Sequence, residues 1–247
     1  MLITAIGGGV KKPALQHTIE TIGAEHTDVL ILPSACTTQS SYDKKVPTTL
    51  ALFESLGVVA SVLHGYGERP TTTRIHHEIG RASLIHTIGG NSPYMMERLR
   101  ETVLFQALKD ALTEGKAHSG ISAGALLPFQ SMHSNGSRRP QAEDWDFQFI
   151  DGLEVLPGVV TAHADGHDQT PYGQRSDSRM DHLLAHFPAH NTQGLALENG
   201  ASVIIGDEPE LIRLNGSEAY HLARTVDDEV VTTVIEDSEH LRRIFTA

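Results

Sequence analysis

A single cysteine, Cys36, leaves this 247-residue chain unable to form an internal disulfide. That fits a reducing compartment and sets the expectation of a cytoplasmic protein. Aromatic residues are scarce, at 5%, and no apolar run approaches the roughly 20 residues of a membrane span. A basic block is missing as well, since 31 acidic side chains outnumber 19 basic ones and the formal charge of −12 is spread along the chain. The attraction to phosphate on which nucleic-acid and anionic-membrane binding depend is therefore lacking, and neither is expected as a partner. The amino-terminal MLITAIGGGVKK has neither the basic start nor the small-residue cleavage site of a secretion signal. Repeats, low-complexity segments and linkers are absent too, so one domain over residues 1–247 is expected.

What is present is a globular composition, 39% hydrophobic and 20% charged, arranged as short apolar runs alternating with helix-length segments. Leu2–Ile6, Asp28–Pro33, Val58–Leu63, Leu84–Ile88 and Lys116–Ile121 are continuous apolar runs, as strands buried on both faces should be. Between them Pro13–Ile22, Lys45–Leu56, Arg74–Arg81 and Pro93–Thr113 are expected as helices, the last with an apolar stripe from Met96 to Leu112. Such a βαβ series predicts an α/β fold with a parallel sheet between helices, in which ligands gather where strands end and helices begin. Ser131–Asp151 shows no period and is expected as a long loop over the site. Beyond it come a strand at Val159–His163, a helix near Ser176–His186 and closely spaced strands from Leu195 to Ile235, a mostly antiparallel extension.

The stretch HSGISAGALLPF, from His118 to Phe129, carries the clearest chemical signal. Gly120-Ile121-Ser122-Ala123-Gly124 matches G-x-S-x-G, in which glycines let a strand turn sharply into a helix and hold the serine exposed. Ser122 is the expected nucleophile, and the Ala123 amide at the helix start can donate to a developing oxyanion. A second glycine element, Gly89-Gly90-Asn91, also follows a strand and opens a helix. Its bare amides could supply the other half of an oxyanion hole.

TIGGN at 87–91, SGISAGA at 119–125, DGLEVLPGVVTAHAD at 151–165 and LALENGASVI at 195–204 resemble, in order, blocks of the peptidase E and cyanophycinase family of serine peptidases. That family belongs to the class I glutamine-amidotransferase-like superfamily. The resemblance implies a flavodoxin-like three-layer α/β sandwich, mostly parallel with antiparallel carboxy-terminal strands, and no metal or organic cofactor. Carried over by position, it makes Ser122 the nucleophile, His163 the base, and the Gly90 and Ala123 amides the oxyanion hole. Glu198 is the favoured third catalytic member, with Asp165 and Asp144 as alternatives. Asn91, Arg175 and Arg179 are the expected substrate contacts, the arginines holding a carboxylate. The implied partner is a small peptide, an aspartyl dipeptide being one candidate, and self-association into a homodimer is left open.

Other readings stay beside this one. An α/β-hydrolase-type esterase would use a late histidine, His221 or His240, and a silent ligand-binding protein would need neither. The H-x-D-x-H-D stretch at 163–168 and the series His182, His186, His190 have metal-like spacings, but Pro188 interrupts the second and HExxH is missing, so hydrogen-bonded or solvated histidines are expected. His64 follows a strand end as a candidate lining residue. Cys36 is expected to be a buried structural thiol. Gly7-Gly8-Gly9 fails the dinucleotide pattern, with Lys11 and Lys12 where glycine spacing should continue, and is expected as the exit turn of the first strand; the family resemblance also implies glycines there, close to the site floor.

Overall fold

The computed structural model describes residues 1–24, 27–135, 147–166, 169–170, 173–174 and 178–245. The first half runs β1 (Ile3–Ile6), α1 (Lys12–Ile22), β2 (Asp28–Leu32), α2 (Gln39–Glu54), β3 (Val59–Val62), α3 (Thr72–Arg81), β4 (Leu84–Thr87), α4 (Ser92–Arg100), α5 (Leu104–Thr113), β5 (Ala117–Ile121) and α6 (Ala123–Leu126). The second runs β6 (Phe129–Ser134), β7 (Gln148–Asp151), β8 (Leu156–Ala162), β9 (Gln169–Thr170), β10 (Gly173–Gln174), α7 (Arg179–Ala185), β11 (Gln193–Leu197), β12 (Ala201–Ile205), β13 (Glu210–Arg213), β14 (Ala219–Arg224), β15 (Val230–Val234) and α8 (Ser238–Phe245).

β1 to β5 pair in parallel within a seven-stranded sheet of order β13-β12-β1-β5-β4-β2-β3, with β12 antiparallel to β1. Side chains alternate across a strand, so an apolar strand feeds a core on each face. Leu30 and Leu32 of β2 enter one core while Val29 and Ile31 enter the other. The second core is closed by α1 and α2 through Leu15, Ile19, Val46 and Phe53. On the opposite face lie α3 to α6 and a second, six-stranded mixed sheet of order β15-β14-β11-β8-β6-β7. α7 covers the far side of that sheet through Leu183. The α/β class is as expected, but the carboxy-terminal strands do not form one extension: β12 and β13 join the first sheet, β11, β14 and β15 the second.

Several boundaries differ from the sequence expectation, each for a local reason. α2 starts at Gln39, well before Lys45, because Thr38 accepts the Ser41 amide at 3.1 Å as its N-cap and Pro47 sits inside the helix. The expected Pro93–Thr113 helix is two helices, interrupted where the Thr102 hydroxyl accepts the Leu104 amide at 3.1 Å. Both ends of the expected loop 131–151 are strands, β6 and β7, paired from Ser131↔Asp151 to Ser134↔Gln148. Polar residues hid the strand period there. Ser131, His133 and Ser134 are buried, and they bond to His190, Thr161 and Ser92 respectively. α8 was not expected from the sequence at all.

Two histidines sit inside the first sheet. His86 meets the Ser119 hydroxyl at 2.9 Å and His118 meets the Thr87 hydroxyl at 3.0 Å, each with its other ring nitrogen unpartnered among the described residues. Burial pushes both down to about 3, with mutual repulsion adding for His86, and burial holds His133 at about 3 as well. All three are neutral in the folded state, whereas in an unfolded chain they take up protons below about pH 6.5. Below that pH the unfolded state binds more protons, so stability is lost as pH falls from about 6.5 towards 3. Calorimetry between pH 7.5 and 5, before most carboxylates titrate, is expected to show a steady fall in Tm. A flat Tm over that window would contradict the neutral-core assignment.

Candidate active site

β5 ends at Ile121, and Ser122 takes φ 54° and ψ −123° before α6 begins at Ala123. This left-handed position is held by close backbone packing. A Cβ on Gly120 would lie 2.2 Å from the Gly124 carbonyl oxygen, and one on Gly124 would lie 2.1 Å from that of Thr87. The glycines of G-x-S-x-G are thus required by space, since neither has a positive φ. The Ser122 amide donates to the Ile6 carbonyl at 2.9 Å, tying the elbow to β1. Ala123 opens α6, so its amide has no acceptor one turn back in the helix.

His163 comes from the other sheet. It follows β8 with φ 56°, and its Nε2 lies 2.9 Å from the Ser122 Oγ. Its Nδ1 lies 2.6 Å from Oδ1 of Asn199, in the turn between β11 and β12. Asn199 in turn donates its Nδ2 to Asp165 at 3.0 and 3.2 Å and its backbone amide to Asp165 at 2.8 Å. The imidazole packs so closely on the β1 exit turn that a Cβ on Gly8 would come within 2.5 Å of its Cε1.

Glu198, favoured from the sequence as third member, is elsewhere. Its carboxylate accepts the Glu218 amide at 2.8 Å and the Tyr220 hydroxyl at 2.9 Å. Neighbouring residues at the end of β11 diverge: Glu198 turns towards β14 and Asn199 towards the histidine. Asp165 contacts Asn199 in place of the ring. Asp144 lies outside the described residues.

A cleft of about 390 Å³ opens beside Ser122 and His163, floored by Gly8, Gly9, Gly89 and Gly90. Lys11, Lys44 and Lys45 line its wall, a local concentration of positive charge on a protein of net charge −12. Lys45 donates to the Gly89 carbonyl at 2.7 Å. Burial, then the neighbouring Lys45, holds Lys11 below the usual lysine range. Among the described residues neither Lys11 nor Lys44 forms an ion pair. The sequence reading missed these lysines as site residues. The available signal was their placement, with Lys11 just past the glycine exit of β1 and Lys44 and Lys45 on the helix after β2, at the strand ends where ligands gather.

The expected substrate contacts fare differently. Asn91 caps α4, its Oδ1 accepting the Tyr94 amide at 2.8 Å, and it is not among the residues lining the cleft. Arg179 is buried at the start of α7 with its guanidinium 5.6 Å from the centre of the Phe147 ring, also away from the cleft wall. Arg175 lies outside the described residues, as do His167 and Asp168. His64 is buried between the Ser34 hydroxyl at 3.1 Å and the Gly65 carbonyl at 2.9 Å. Cys36 is buried, which raises its thiol pKa. His221 packs edge-on against His240, with ring centres 6.3 Å apart, and neither lines the cleft. Among the described residues no group of three or more His, Cys, Asp or Glu is placed to hold a metal, and no helix is long and apolar enough to cross a membrane.

Comparison with known proteins supplies a family. The profile of peptidase family S51 matches residues 1–213. Peptidase E of Salmonella typhimurium is 25% identical over 222 residues, covering 85% of this chain and 92% of its own. Peptidase E of Escherichia coli O6:K15:H31 is 25% identical over 199 residues, covering 79% and 82%. Among solved structures, a peptidase from an acI-B1 Actinobacterium superposes with a TM-score of 0.70 at 16% identity, covering 96% of this chain and 95% of its own. A putative peptidase E protein from Listeria monocytogenes EGD-e gives 0.61 at 16% identity, covering 87% and 98%. At that identity the two structures speak for the fold alone.

Proposed function

Since the chain belongs to peptidase family S51, we propose that it is a serine peptidase hydrolysing a small peptide through an acyl-enzyme at Ser122. The observation that carries the reading is the 2.9 Å contact between His163 Nε2 and the Ser122 Oγ on a strained elbow. A serine hydroxyl is a weak nucleophile until a base within hydrogen-bond reach takes its proton. In the proposed reaction Oγ attacks the scissile carbonyl carbon as the proton passes to Nε2. The amides of Ala123 and Gly90 receive the oxyanion. Collapse of the tetrahedral intermediate breaks the C–N bond, and the proton on Nε2 goes to the leaving amine. Water then enters, gives a proton to Nε2 and attacks the ester, and Ser122 leaves with that proton restored.

The lysine wall supports an acidic substrate, with aspartate at the residue donating the scissile carbonyl. A protein of net charge −12 repels anions at long range, so recognition of a carboxylate needs local cations. In this reading Lys11 and Lys44 supply cations at the cleft wall. A neutral fluorophosphonate is expected to label wild type at Ser122 and to leave Ser122→Ala unlabelled; labelling of both alike would end the serine-peptidase reading. On paired peptides, wild type is expected to prefer Asp over Asn. Lys11→Met and Lys44→Met are each expected to shrink that preference roughly five- to thirtyfold in kcat/KM, a charge-assisted contact discounted for solvent. An Asp to Asn ratio unchanged in both variants would remove the acidic-substrate assignment.

A further inference from the structure

We infer that Asp165 acts through Asn199 to set which nitrogen of His163 carries its proton, so that the catalytic base is oriented by an amide held in place by a carboxylate one residue removed. The inference deepens the serine-peptidase reading and rests on it. For Nε2 to accept the Ser122 proton, its lone pair must face Oγ, and the ring proton of the neutral imidazole must then sit on Nδ1. The group opposite Nδ1 must therefore be an acceptor. Asn199 offers Oδ1 there at 2.6 Å.

An asparagine side chain is nearly symmetric in shape, and by itself it could present either its oxygen or its NH2 to the ring. Reversed, it would donate to Nδ1, favour the tautomer with the proton on Nε2, and leave no lone pair facing the serine. Asp165 prevents the reversal. An ionised carboxylate only accepts, and both of its oxygens face Nδ2, at 3.0 and 3.2 Å. A flipped amide would set its own oxygen against that carboxylate, lone pairs against lone pairs. The backbone amide of Asn199 also donates to Asp165 at 2.8 Å, so the carboxylate grips the residue at two points.

Asp165 is itself registered to the base. The Gly166 amide donates to the His163 carbonyl at 2.8 Å, closing a tight turn that contains Asp165, and the Ala164 amide donates to Leu197 at 2.9 Å. The turn spanning His163 to Gly166 and the turn carrying Asn199 are thereby locked face to face. When His163 becomes an imidazolium during turnover, the negative charge of Asp165 reaches it through the polarised amide. Asn199 and Asp165 are positioning residues, since neither contacts the serine.

The test is a double-substitution cycle with a spectroscopic readout. Asp165→Ala and Asn199→Ala are each expected to lower kcat by about ten- to a hundredfold with KM nearly unchanged. The double variant is expected to fall no further than Asn199→Ala alone, because the inferred route from Asp165 to the base runs through the Asn199 side chain. Nitrogen NMR of histidine-labelled protein, with His163 assigned against His163→Gln, is expected to show the proton on Nδ1 in wild type. A mixed or reversed tautomer is expected in Asp165→Ala and in the isosteric Asp165→Asn. The NMR readout holds whatever the activity of the variants, and Asp165→Asn serves if the alanine variant folds poorly. Losses that multiply in the double variant, or a His163 tautomer unchanged in both Asp165 variants, would overturn the inference. If wild type and its Asp165 variants all label at Ser122 at equal rates, only the relay is lost; if wild type does not label, the serine-peptidase reading is lost with it.

Discussion

Replacing Ser122 by alanine is expected to lower kcat by at least about a thousandfold while leaving the fold intact. The attacking oxygen is gone, and neither the oxyanion amides nor His163 can replace a covalent step. Fold retention follows from the geometry of the elbow. At φ 54° and ψ −123° any residue with a Cβ is strained, and alanine carries the same Cβ as serine, so the strain is unchanged. Ser122→Gly would remove it and is expected to stabilise the protein by about 1–3 kcal/mol while being equally inactive. Peptide hydrolysis by the purified variants, with thermal unfolding on the same samples, checks both halves. An alanine variant that is folded and retains most of its activity would show that the chemistry lies elsewhere.

Gly8→Ala is expected to cost about a hundredfold or more in kcat, with some loss of stability as well because Gly8 has φ +158°. The added Cβ would fall 2.2 Å from Asn199 Oδ1 and 2.5 Å from His163 Cε1. Both obstacles are ends of side chains, so the protein can relieve the overlap by tilting the imidazole and the amide without disturbing its core. That relief moves Nε2 away from Ser122, and a misplacement of about 1 Å is enough for a hundredfold loss. Gly9→Ala is the matched control. Gly9 has φ +72°, yet its nearest neighbour to an added Cβ is 3.4 Å away. The control is expected to lose roughly 1–2 kcal/mol of stability to backbone strain and to keep most of its kcat. If Gly8→Ala keeps its turnover, the imidazole is not held by the glycine floor.

The elbow, the alternation of strand and helix and the twofold burial of β1, β2, β4 and β5 were legible in the sequence because each is a local pattern. A glycine two places either side of Ser122 and an unbroken apolar run such as Asp28–Pro33 state their own requirements, whatever the rest of the chain does. His163 was legible only through resemblance, since nothing local distinguishes Ala162-His163-Ala164 from other histidines of the chain. Polar strands were the hardest to see. β6 buries Ser131, His133 and Ser134, and their hydrogen-bond partners lie in residues far along the chain.

By itself the sequence determined that a parallel α/β sheet would carry a serine at a strand-to-helix elbow, because those features depend on residues within a few positions of one another. Only the tertiary structure decided what surrounds that serine. Ser122 and His163 stand on different sheets, Asn199 rather than Glu198 faces the imidazole, and three lysines from α2 and the β1 exit reach the same cleft as the serine. Which of two adjacent side chains points into a site is set by how a strand end twists against its neighbours. How charges gather around a cleft is set by which strand ends the topology brings together. Both are contacts between segments distant in the chain, and no local pattern records them.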